Sequence, residues 1–110
     1  MYTEESKNRA LEIINEIEKT IAKRDFFVAT YKDRPLLIEL EKIAENGLDE
    51  QEESLLFAYD LFVYLAEKYT SMGRFPVSGK FNEKALNAAM LLKQKYGKES
   101  ERVNEIPIIE

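Results

Sequence analysis

The chain has 110 residues, 45% of them apolar, and its 16 basic against 21 acidic side chains leave a net charge of −5. That length supports one compact domain, and the composition is that of a folded protein rather than a disordered one. Cysteine, histidine and tryptophan are all absent, which excludes disulfides, thiolate nucleophiles, cysteine or histidine zinc sites and histidine acid–base chemistry.

Residues 3 to 24 read as a first helix. Ala10, Ile13, Ile14, Ile17 and Ile21 recur at helical spacing, with Glu12, Glu16, Lys19 and Lys23 on the other side. Thr3 is placed as its N-cap, followed by Glu4 and Glu5 where the helix dipole favours anions. Asp25 to Arg34 is ambiguous: Phe26, Phe27 and Val28 extend the helix or form a short packed connection. Pro35 is read as starting a short second helix with Leu36, Leu37, Leu40, Ile43 and Ala44 inward. Gly47 is expected to close it as a left-handed residue.

Asp49, with Glu52 three residues on, is read as a capping box opening a third helix over about 50 to 72. Its apolar residues, from Leu55 to Tyr69, cover most of the circumference, so neighbours must bury it from several sides. Gly73 ends it. Arg74 to Phe81 is expected to be a loop because it contains Pro76 and Gly79. Asn82 then caps a fourth helix that runs to Tyr96 and stops at Gly97, with Ala85, Ala88, Ala89, Leu92 and Tyr96 on one face. The expectation is an all-α fold: residues 1–97 form a single antiparallel bundle of about four helices with an apolar third helix at its centre, and 98–110 form a tail that turns from polar to apolar. The core is expected to include Ile13, Ile17, Ile21, Leu36, Leu40, Ile43, Phe57, Leu61, Phe62, Leu65, Tyr69, Ala85, Ala89 and Leu92.

Two apparent motifs fail on spacing. Gly73 to Phe81 is no phosphate loop: five residues separate its glycines, Phe81 stands where Ser or Thr is needed, and a helix precedes it. Glu50 and Glu53, with Asp60, could begin a Mg²⁺-binding carboxylate set of an all-α enzyme, but no second acidic pair follows. Glu53, Asp60, Glu67 and Ser71 instead line one narrow stripe, as expected where a mostly buried helix meets water. No catalytic, metal or cofactor residue is assigned.

Phe62-x-x-Leu65-Ala66-x-x-Tyr69-x-x-x-Gly73-x-Phe75 is similar to the first helix and turn of a tetratricopeptide repeat. The likeness covers about fourteen residues and departs from the pattern at Ser78, where alanine is expected; restoring alanine at Ala85 requires a seven-residue insertion. A single unit makes no solenoid, so this reads as ordinary helix-hairpin packing. In size and architecture the chain also resembles the pediocin-type bacteriocin immunity proteins, small four-helix bundles. That resemblance implies neutralisation of a toxin or its receptor.

Two features point to a contact surface. Seven acids and one lysine lie between Glu39 and Glu53, while seven basic residues and one acid lie between Lys68 and Lys98. Arg74, Lys80, Lys84 and Lys95 could meet an acidic protein surface; alternatively, the two segments complement each other within the bundle. The acidic total argues against a general nucleic-acid binder. Leu91 falls away from the alanine face with Met90 at its border, and Phe75 lies in the expected loop. Ile106, Ile108 and Ile109 of the tail either cover Leu91 or add to a docking patch. The polar, acidic start reads as no signal peptide, and no apolar stretch is long enough to span a bilayer, so the expectation is cytoplasmic. The expected function is a non-enzymatic protein-interaction or regulatory module, binding another protein or itself as a homodimer.

Overall fold

The computed structural model describes residues 3–23, 26–49 and 51–97, giving the backbone alone for 20–23 and 26–33. Four helices follow in order: α1 (Glu4–Lys23), α2 (Phe26–Asn46), α3 (Glu52–Ser71) and α4 (Phe75–Tyr96). Consecutive helices run antiparallel, as short connections require. Across α1 and α2, Arg9 near the start of one reaches Glu39 in the second half of the other. Glu18 and Lys68, both late in their helices, join α1 to α3 at 2.8 Å. The most extensive contact is α3 on α4.

Local chemistry fixes the helix ends. At α1, Thr3 Oγ1 accepts from the Ser6 N–H while Ser6 Oγ accepts from the Thr3 N–H, both at 3.0 Å. This reciprocal pair satisfies two amides that lack helical partners. At the end of α3, Gly73 has φ +74°. Its N–H donates to the Thr70 carbonyl and that of Arg74 to Tyr69, each at 2.9 Å, which is the Schellman arrangement that a left-handed glycine permits.

Several boundaries differ from the sequence reading. Pro35 does not start α2 but lies inside it, on the solvent side opposite buried Leu37, Leu40 and Ala44. The ring gives no N–H to the carbonyl four residues back, but its outward position keeps it clear of the core. Pro76, in contrast, occupies the first turn of α4, where a missing donor costs little. Arg74 to Phe81 is therefore not a loop: the helix starts at Phe75, and Gly79 and Asn82 are exposed positions within it. Gly47 is buried but has no positive φ; a Cβ there would lie 3.6 Å from that of Ala58, an ordinary contact. Asp49 forms no capping box, because Gln51 is the N-cap of α3. Asp49 Oδ1 instead accepts from the Gln51 N–H at 2.9 Å, a side-chain turn just before the helix.

The main core joins all four helices through Ala10, Ile13 and Ile17, Leu37, Leu40 and Ala44, Ala58, Leu61, Phe62, Leu65 and Ala66, and Phe81 and Ala85. Leu36, Ile43, Phe57 and Tyr69 are half-buried around it, and the Ile21 side chain lies outside the described residues. Phe81, expected among the surface cations, is only 2% exposed. It stacks on Tyr69 at 5.4 Å between ring centroids and on Phe62 at 6.4 Å. Ser78 sits on α4 where the hairpin pattern calls for alanine, so no insertion is needed. It is buried, and its hydroxyl donates to the Ala66 carbonyl at 3.1 Å and pairs with Thr70. A second, smaller core of Leu55, Leu56, Ala89 and Leu92 closes the open end of the α3–α4 hairpin.

Candidate interaction surface

Charge is largely arranged within the bundle. The Arg9 guanidinium holds Glu39 through two bonds of 2.6 and 2.7 Å and also reaches Glu12 at 3.3 Å. Its hydrogen bonds keep the Glu39 carboxyl below the usual glutamate range. Lys84 pairs with Glu45 and lies 3.8 Å from Glu41. Its ammonium also stands 5.8 Å from the ring centroids of both Phe62 and Phe81, where the ring quadrupole favours a cation. Lys84 is thus a strut between α2 and α4, and here the acidic and basic segments complement each other. Burial, with Glu41 nearby, pushes the half-buried Tyr69 hydroxyl upward.

The remaining candidate residues occupy different surroundings. Arg74 precedes α4 beside a hollow of about 200 Å³ shared with Arg34, Glu41 and Tyr69. Phe75, in the first turn of α4, is 65% exposed. Lys80 and Lys95 are exposed on α4. Leu91, 41% exposed, borders a cleft of about 370 Å³ with Leu48, Leu55 and Ala88, rimmed by Glu45, Asp49, Lys84 and Asn87. Ile106, Ile108 and Ile109 lie outside the described residues. Glu53, Asp60 and Glu67 face solvent along α3, and Glu50 is outside the described residues. Among the described residues no three acids converge as a metal site would require. No described helix is long and apolar enough to cross a membrane.

Met90 does not sit at a border. It points directly away from the buried Ala85–Ala88–Ala89–Leu92 face and is 54% exposed. Beside it Leu86, absent from the sequence reading, is 38% exposed. The signal was present: Leu86 and Met90 are one turn apart, and both lie opposite the alanines once the helix is extended back to Phe75. The outer face of α4 thus carries Leu86 and Met90, flanked by Leu91, on a helix packed chiefly against α3. No protein-family model matches this chain, nor does any curated protein or solved structure.

Proposed function

We propose that the chain is a non-enzymatic helical interaction module that associates with a second copy of itself through the outer face of α4. The observation that carries this reading is the run of large apolar side chains, Leu86, Met90 and Leu91, left open to solvent on α4. Exposed apolar side chains grouped on one helix face are what a contact surface requires, whereas the solvent-facing carboxylates of α3 serve hydration.

A single helix face covers less than the roughly 800 Å² per partner of a standard stable interface. Association therefore falls in the micromolar range or weaker and is reversible. Light scattering over a concentration series tests it: the mass-average should rise with concentration for the native chain and stay at 12.8 kDa for Met90→Glu. A variant that associates as well as the native chain would remove this surface from the account.

A further inference from the structure

The order of residues along the outer face of α4 also specifies how two copies meet. Gly79, Glu83, Leu86, Met90, Lys93 and Gly97 follow one another at steps of 4, 3, 4, 3 and 4. This is the spacing of a coiled-coil seam. Glycines stand at both ends, an acid and a base next to them, and two apolar residues in the middle. Read backwards, the series has the same character with its charges exchanged. All six positions lie on the side of α4 away from its buried face, four of them exposed and Lys93 and Gly97 half-exposed.

We propose that two copies pair antiparallel along α4 about a two-fold axis near Ala88, and that this series fixes the register. This rests on the self-association reading above and specifies it. An antiparallel pair with that axis sets Leu86 against Met90 of the other copy, Glu83 against its Lys93 and Gly79 against its Gly97. Each contact occurs twice, as an isologous interface demands. Lys80 then comes beside Gln94 of the other copy and Asn87 beside its Asn87, so no like charges oppose one another along the seam. Parallel pairing instead sets Glu83 against Glu83 and Lys93 against Lys93.

Gly79 gives independent support. It is exposed in a helix interior, where glycine is about 1 kcal/mol worse than alanine. A Cβ there would meet nothing within 4 Å, so packing within the chain does not require the glycine. Close approach of a second helix gives it a purpose.

Charge reversal tests the register without touching the core. Sedimentation equilibrium of Glu83→Lys, Lys93→Glu, the double variant and an equimolar mixture of the two single variants would be compared with the native chain. Each single change turns two attractive pairs into two repulsive ones, and the dimer should weaken by roughly tenfold or more. The double variant should regain the native affinity within about threefold, and the mixture should form a heterodimer of native affinity. Net charge does not account for a loss in Glu83→Lys, which moves the chain from −5 towards neutrality. A native dimer indifferent to both single reversals overturns this register but leaves self-association standing. A native chain that remains 12.8 kDa at about 1 mM overturns both.

Discussion

Replacing Phe81 with alanine tests the assignment of 75–81 to a helix, because only that helix turns the ring inward. Phe81 is 2% exposed and lies between Tyr69 and Phe62, with centroids at 5.4 and 6.4 Å. Truncating a buried phenylalanine costs about 3–5 kcal/mol through lost transfer energy and the cavity left behind. Each stacked aromatic pair adds roughly 0.5–1.5 kcal/mol. The expected loss is about 4 kcal/mol, a large part of the 5–15 kcal/mol that holds a typical domain folded. At this chain length it lowers the melting temperature by roughly 15 °C. Phe75, six residues earlier and 65% exposed, is the internal control, and Phe75→Ala should stay within about 0.5 kcal/mol of the native chain. Urea unfolding followed by circular dichroism measures both. Equal losses for the two variants, or a loss below about 1 kcal/mol at Phe81, would refute the inward helix.

Further expectations follow from the turns and the titrating groups. Gly73→Ala should cost about 1 kcal/mol or more, because its φ of +74° is unfavourable to any side chain even in open space. Gly47→Ala should be neutral or stabilising by up to about 1 kcal/mol, since its φ is not positive and its Cβ finds room. Thermal melts of the two variants check both. Glu39 titrates below the usual glutamate range mainly through its hydrogen bonds to Arg9. Its stabilisation is therefore complete above the unfolded value and lost as pH falls through the lower folded one, and Glu39→Gln should flatten the acid limb of stability against pH. Tyr69 is displaced upward by burial. The stability it gives is present below the unfolded tyrosine value and lost as pH rises towards the folded one, so Tyr69→Phe should flatten the alkaline limb.

The sequence revealed helices wherever one face was apolar. The Ile13–Ile17 spacing, the crowded third helix and the alanine face of the fourth all point to the sides that the structure buries. Thr3 and Gly73 were legible because a cap and a left-handed turn each demand a particular residue type. The two prolines were not. A ring at a helix start and a ring on the outer side of a helix interior have the same local signature, and only packing around Leu37 and Phe81 separates them. Misplacing Pro76 concealed the first two turns of α4. With them went the burial of Phe81 and Ser78 and the full length of the outer face. Leu91 and Met90 stood out because they depart from the alanine side, but Leu86 and the Gly79–Gly97 series become visible only once α4 begins at Phe75. Lys84 illustrates a different limit: its pairing with Glu41 and Glu45 depends on the packing of α2 beside α4, which local pattern does not reveal.

The most direct test of self-association through α4 is the mass of the native chain in solution, measured by sedimentation equilibrium from about 10 μM to about 1 mM. The mass-average should climb from 12.8 kDa towards twice that value. Added salt should weaken the association only modestly, because Leu86 and Met90 supply the contact and only the flanking Glu83–Lys93 pairs are screened. A mass fixed at 12.8 kDa throughout that range would contradict self-association.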